Sequence, residues 1–442
     1  WAMHVEDGRE AVVHVAYAEA LVDEAGHKGV RYEIEGKQFP KVRDRFTLDG
    51  QSRWLSPLWW RAGRYLEIVV ETLDEPLTIR GFELMHRHYP LEQEGRFHCE
   101  DESVIAVRDL CERSLTCCMH ETFMDCPFWE QKQFIGDTRL QALVARTLSS
   151  DQRLIANAIR QFDHGRAAPT FLPPGSYPTP VGKVIPPFAL WWISMIHDYA
   201  LWHDDRPLLE QVTSAVFGVL QYFLSHRDET GMVRTPSGWC FIDSSFPGQI
   251  PPGGEPGQTS IPLNWMIVLA LHRAAILWHG LDQTHLSQWA EQHQHELTDV
   301  LIRDSWSEQH QMVLDEPSDF KCSVHSNVFA ALAGAIDHHC VVRAMDTPDA
   351  VPPSLWFWHD VSESLVQAGR IARLLTIWKR WSALEELGLS TTPENFSEEP
   401  RSDCHGWGAH PRFHMTAGIL GIRPAAPSFA SVTIRPQLGP LS

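Results

Sequence analysis

The chain has 442 residues, 43% of them hydrophobic and 10% aromatic, enough to bury a sizeable core in more than one domain. A formal charge of −19 argues against a nucleic-acid partner, whose phosphates are held by clustered Lys and Arg, so a neutral or small-molecule substrate fits better. No apolar run is expected to reach the roughly 20 residues that cross a bilayer, because the stretch 262–278 is broken by Asn264, His272 and Arg273.

In chain order, residues 1–90 read as β and as the C-terminal part of a β-sandwich domain. Residues 11–20 are apolar and strand-like, 65–70 alternate, and 77–85 follow a turn at 74–76. From Asp101 the period becomes helical, with Asp101 or Ser103 as N-cap and apolar positions at Val104, Val107, Leu110, Leu115 and Cys118. Helices are then predicted over 103–121, 137–148, 151–162, 187–203, 207–225, 262–281, 285–303, 324–339, 354–368, 372–387 and 404–420. Eleven or twelve helices joined by loops rich in Gly and Pro suit a toroid of helical hairpins over 91–420 better than a bundle. The loop 171–187, with six prolines, and the loop 236–257 are long enough to be ordered and functional. After Gly421 the β character returns, with a short strand at 431–435, so 421–442 reads as the start of a C-terminal β-sandwich.

The stretch 124–139, MDCPFWEQKQFIGDTR, carries Asp125, Glu130 and Asp137 in a run that is otherwise aromatic and amide-rich. Pro127 and Gly136 break helix on either side, which puts these acids on a loop. Taken singly, each is a solvated loop acid, or in the case of Asp137 a cap for the next helix. Taken together they fit glycosidic hydrolysis, which needs one carboxyl kept protonated and one ionised. Phe128, Trp129 and Phe134 would supply the desolvation that raises the pKa of Glu130.

DCPFWEQKQFIGDTR resembles the signature of glycoside hydrolase family 78, the α-L-rhamnosidases, in which Asp-Cys-Pro is followed by Glu and then by Gly-Asp. The resemblance implies that Glu130 is the general acid and that Asp125 and Asp137 accept rhamnose hydroxyls. Many members carry Gln-Arg-Asp between the Pro and the Glu, where this chain has only Phe128 and Trp129. A second stretch at 388–411, GLSTTPENFSEEPRSDCHGWGAHP, is similar to the family as well. It implies Glu394 as the base that activates water and His405 as a sugar contact, with Trp407 and His410 as neighbours. Pro393 stands where many relatives have Trp, and Glu398 or Glu399 remains open as the base.

The likeness extends through IPPFALWWISMIHDY and PPGGEPGQTSI, including Glu255, and runs from about Tyr65 to Gln437. It places Trp239 and Asp243, in SGWCFIDSSFPG, at the pocket together with Trp191 or Trp192, and Trp129 and Phe134 join the substrate-binding set. Aromatic faces stack on sugar C–H faces, although Trp residues also fill cores. Ser244 follows Asp243 where relatives often show Trp.

The resemblance implies a mainly α fold, an (α/α)6 six-hairpin toroid flanked by partial β-sandwich segments. It also implies inverting hydrolysis of terminal α-L-rhamnosyl residues from a rhamnose-containing glycoside or oligosaccharide, with no cofactor. Two other readings keep the scaffold: a glycosidase for another sugar, such as an α-glucoside or a uronate, and a non-catalytic carbohydrate-binding relative. His405, His410 and His414 lack an HExxH arrangement and partners at the usual spacing, so no metal is expected. Nine scattered cysteines without a disulfide framework, and no visible signal peptide, favour a cytoplasmic setting, while the opening at Trp1 keeps a periplasmic or secreted one in play.

Overall fold

The structure, a computed structural model, describes residues 1–180 and 182–441. The expected segment 421–442 therefore loses its last residue, Ser442, which lies outside the described residues.

Period-2 burial builds the first region. In β1 (Ala2–Asp7) Met3 and Val5 are fully buried, and in β2 (Val12–Ala18) Val13, Val15 and Tyr17 point the same way. Each is the middle strand of a three-stranded antiparallel sheet. β1 lies between β4 (Gly50–Leu55) and β6 (Leu77–Glu83), and β2 between β3 (Arg43–Thr47) and β5 (Tyr65–Glu71). The buried residues of the two central strands share one core with Leu48 and Leu55. The expected strands at 11–20, 65–70 and 77–85 correspond to β2, β5 and β6.

Among the described residues twelve α-helices follow: α1 (Glu102–Cys117), α2 (Ile135–Leu148), α3 (Arg153–His164), α4 (Pro186–Trp202), α5 (Arg206–Leu224), α6 (Ile261–Gly280), α7 (Thr284–Ser305), α8 (Val324–Leu332), α9 (His339–Asp346), α10 (Trp358–Gln367), α11 (Ile371–Ser382) and α12 (Pro411–His414). Their burial alternates. All 14 residues of α2 are buried, whereas α3 buries one stripe of Leu154, Ile155, Ala158, Ile159 and Phe162. A helix buried on every side lies inside the domain and a striped one outside. The even-numbered helices pack accordingly: α2 on α4, α4 on α6, α6 on α8, α8 on α10, α10 on α12, and α12 back on α2. This closed cycle, with the odd-numbered helices outside it, is the connectivity of six helical hairpins.

Several boundaries differ from expectation. The single helix expected over 324–339 ends at Leu332, because Gly334 takes a φ of 76°, and α9 starts afresh at His339. The helix expected over 404–420 is a 3-10 turn at Gly406–Ala409, then α12, then a π turn at Met415–Ile419. Pro411, which has no N–H to donate, sits at the restart. The expectation about apolar length is corrected by α6, which is long and apolar enough to cross a bilayer, although 89% of its most apolar window is buried in the domain. Asn264 does not interrupt that helix. It satisfies the backbone N–H and C=O of Val233 at 2.8 and 2.9 Å. At the end of the chain Ile422–Pro424 pairs antiparallel with Val432–Ile434.

Candidate active site

The N-terminal ends of α2 and α4 open on a cavity of about 410 Å³. Two segments far apart in sequence meet on its wall, the loop before α2 and the loop before α12, and their backbones are tied together. Asp125 N–H donates to Lys132 O at 2.8 Å, and Lys132 N–H returns to Asp125 Oδ1 at 2.9 Å, closing the first loop. Gly406 N–H donates to Asp125 O at 2.8 Å and thereby fastens the second loop to the first. Only glycine permits that approach, since a Cβ at position 406 would stand 2.3 Å from Gln141 Nε2. The second loop is also anchored from behind, where Thr392 N–H donates to Ser114 Oγ at 2.7 Å and His405 N–H to Thr392 O at 2.7 Å.

Asp125, 1% exposed, and Asp137, 3% exposed, lie in the floor. Asp137 sits in the first turn of α2, yet its side chain does not cap the helix; its Oδ1 meets His405 Nε2 at 3.2 Å. Burial pushes Asp125 up to about 6, opposed by His405 and reinforced by Asp137. Burial also raises Asp137. For His405 burial acts downward, but the bond to Asp137 and the charges of Asp125 and Glu394 outweigh it, so its pKa is raised. A proton is therefore easily held in this floor.

Glu130 and Glu394 meet on one guanidinium. Arg401 Nη1 lies 2.5 Å from Glu130 Oε1, while its Nε and Nη2 reach Glu394 at 3.0 and 3.1 Å. Lys132 Nζ is a second cation near Glu130, at 3.8 Å. Trp407 donates its indole N–H to Glu394 O at 3.0 Å and stacks on Trp356, which places an aromatic face beside the carboxylates. Phe134 and Trp239 line the same cavity. Phe241, Lys183, Gln249 and Arg401 line it too, and none of these was singled out from the sequence.

The described part of the loop 171–187, with Val181 outside the described residues, supports this wall by pairing with the acidic loop. Ile135 N–H donates to Gly175 O at 3.0 Å, and Tyr177 N–H to Gln133 O at 3.0 Å. Trp239 N–H in turn donates to Val184 O at 3.1 Å, so the loop 236–257 leans on the first one.

Residues 92–311 match the family model described as the bacterial alpha-L-rhamnosidase 6 hairpin glycosidase domain. This segment belongs to that rhamnosidase family. A structure of a GH78 family rhamnosidase of Bacillus sp. GL1 superposes with a TM-score of 0.86 at 21% identity, covering 100% of this chain and 47% of that one. The rhamnosidase from Klebsiella oxytoca with rhamnose bound gives 0.73 at 17% identity, over 94% of this chain and 84% of that one. The Streptomyces avermitilis alpha-L-rhamnosidase complexed with L-rhamnose gives 0.70 at 14%, over 98% and 42%. These likenesses show the fold, and the chain spans about half the length of the Bacillus and Streptomyces proteins. A comparison with curated protein sequences returns no match.

In this chain four of the expected residues lie off the cavity wall. Trp191 is fully buried one turn deeper in α4, against Phe329 and Trp356 and 4.3 Å from the Arg139 guanidinium. Asp243 is also fully buried. It accepts from Ser354 N–H at 2.9 Å and meets His325 Nε2 at 2.7 Å, and despite burial these partners hold its carboxyl below the usual range. It braces loops instead of facing the cavity. Trp129 is 43% exposed and donates its indole N–H to Arg401 O at 2.7 Å. It holds the backbone of the residue that bridges the glutamates. His410 is turned away towards Leu355 O, 3.1 Å from its Nε2. The aromatic enclosure expected around Glu130 is not there either, because Phe128 packs against the β-sandwich core. Of the acids open as the base, Glu398 and Glu399 are exposed and off the cavity, and Glu399 accepts from the backbone N–H of Lys28 and Gly29 at 2.7 and 3.0 Å.

Proposed function

We propose that this chain is a glycoside hydrolase that removes terminal α-L-rhamnosyl residues with inversion, Glu130 acting as general acid and Glu394 as general base. One observation carries the reading: both carboxylates grip the same guanidinium across a single cavity. Contacts of 2.5 and 3.1 Å to the terminal nitrogens of one planar group keep those oxygens within roughly 8 Å of each other, close enough for both carboxylates to address one glycosidic bond.

Chemistry then requires Arg401 to withdraw. The guanidinium stands between the two carboxylates, so the sugar has to displace Arg401 before Glu130 can present a proton to the leaving oxygen. With the gap cleared, Glu394 takes a proton from a water attacking the opposite face of the ring. Asp125 and Asp137 accept ring hydroxyls, and their negative charge stabilises the positive charge that develops at the sugar. Trp239, Phe241 and Trp407 present apolar faces to the sugar's C–H groups and its methyl. The relatives that carry rhamnose in their structures support the choice of sugar.

The cations on the wall favour a second reading. Lys132, Lys183 and Arg401 would suit a sugar bearing a carboxylate. A panel of 4-nitrophenyl glycosides separates the two: release from the α-L-rhamnoside but not from α-D-glucoside or uronides supports the first, and preferential cleavage of a uronide overturns it.

A further inference from the structure

Deeper along the axis of the helical ring lies a second cavity, of about 210 Å³, that takes no part in the chemistry above. It is walled by Arg139 on α2, Asp198 on α4, Arg273 on α6, and His359 and Glu363 on α10, with Arg423 closing one side.

Its charges do not balance. Arg139 donates to both oxygens of Asp360 at 3.1 and 3.0 Å, and its Nε lies 3.5 Å from Asp198. Arg423 holds both oxygens of Glu363 at 2.8 and 3.0 Å. Arg146, buried beside them, donates to the backbone carbonyls of Asp198 and Ala142 at 2.6 and 3.1 Å. Arg273 is 8% exposed, and among the described residues it makes no ion pair within 4.0 Å; its Nη1 is buried without a hydrogen-bond partner. Four guanidiniums thus face three carboxylates; among the described residues Arg146 and Arg273 both lack an ion pair, and Arg273 is the one of the two that lines the cavity. His197, His272 and His359 do not change the sum, since burial pushes each imidazole towards its neutral form. Burial, then the charge of Arg139, also lowers the pKa of Arg273, although guanidinium remains a cation at neutral pH.

A buried charge without a counter-charge is among the most expensive features a fold can carry. Water in the cavity would accept the hydrogen bonds of Arg273 but would not remove its charge. We infer that this cavity binds a small monovalent anion of halide or formate size on Arg273, the group that completes the electrostatics of the ring. A single negative charge balances the excess of one, whereas a phosphate at neutral pH would overshoot it.

A metal is the competing occupant. His359, His410 and His414 place ligand atoms within 4.8 Å of one another, and Glu363 lies 3.4 Å from His414. A dication there would add two positive charges to a region that already has one too many, beside Arg139 and Arg273, and the field of the arginines opposes it.

The full chain, dialysed into halide-free gluconate, is titrated with sodium bromide at constant ionic strength while Tm is followed. We expect a saturable rise of about 2 °C or more for the wild type and no saturable rise for Arg273→Met, a variant at least as stable as the wild type in gluconate alone. A bromide-soaked wild-type crystal should show an anomalous peak within about 3.5 Å of an Arg273 nitrogen, a result independent of any variant. A Tm that follows ionic strength alone with no peak in the cavity overturns the inference. So does an equal bromide response in Arg273→Met, or zinc bound stoichiometrically at the three histidines with the cavity free of bromide.

Discussion

Carboxylates are buried in both cavities along the ring, and the two sets are driven in opposite directions. In the upper cavity burial, opposed by His405 and reinforced by Asp137, lifts Asp125 to about 6. In the lower one burial acts on Glu363 in the same sense, yet the charge and hydrogen bonds of Arg423 outweigh it and hold the carboxyl at about 2. The difference lies in the partners. Glu363, fixed to a buried guanidinium, is part of the framework, whereas Asp125 and Asp137, buried side by side, are kept ready to exchange a proton or a hydroxyl contact.

The largest effect that tests this contrast is on turnover. Glu394→Gln should lower kcat by about 10³–10⁴ on every rhamnoside, natural or activated, since the base is needed whatever departs. Glu130→Gln should be as damaging on a natural disaccharide and much milder on a nitrophenyl rhamnoside, whose leaving group needs no proton. Equal losses on both substrates would remove Glu130 from the acid role.

Stability measurements separate the two cavities by sign. Glu363 has a lowered folded pKa, so its contribution is present above about 4.5 and is lost as pH falls through about 2. Glu363→Gln should therefore cost about 3 kcal/mol in urea unfolding at pH 7. Asp125 has a raised folded pKa, so its favourable contribution is confined to low pH, and a penalty grows as pH rises from about 4 through about 6. Asp125→Asn should gain up to about 3 kcal/mol at pH 7 and next to nothing near pH 3, while turnover falls. A loss of stability at pH 7 in both variants would erase the distinction drawn here.

Smaller effects sharpen the outline of the upper cavity. Trp239→Ala should raise KM about tenfold by removing a stacking face, while Trp129→Phe, altered outside the cavity, should leave KM within about twofold. A tenfold rise for Trp129→Phe would put that ring against the substrate after all.

The sequence made the ring legible through its period, since α4 and α6 are largely apolar on every side and α3 is striped, and both acidic loops stood out by composition. What it hid were features that depend on contacts distant in the chain. Trp191 and Phe188 lie one helical turn apart on α4, and nothing local tells which of them reaches the cavity. Arg401 was visible as the lone cation in SEEPRSD, a signal that an acid pair needed a counter-charge, but its bridge to Glu130 exists only once Gly406 has docked on Asp125. β1, β3 and β4 went unread: β3 and β4 are short and largely polar, and β1 carries charges at its end, so the place of β1 is set by pairing with β4 and β6, and that of β3 by pairing with β2, rather than by their own composition. The helix α9, with Cys340, Val341 and Ala344 buried, was read as part of its neighbour because eight residues are too few for their stripe to stand out.

The claim on which the rest depends is that Glu130 and Glu394 work as a pair across a water-wide gap. Proton NMR of 4-nitrophenyl α-L-rhamnoside hydrolysis, followed from the first minutes, tests it most directly. β-L-rhamnose should appear first and convert slowly to the α anomer; α-L-rhamnose as the first product would mean retention and would contradict the account.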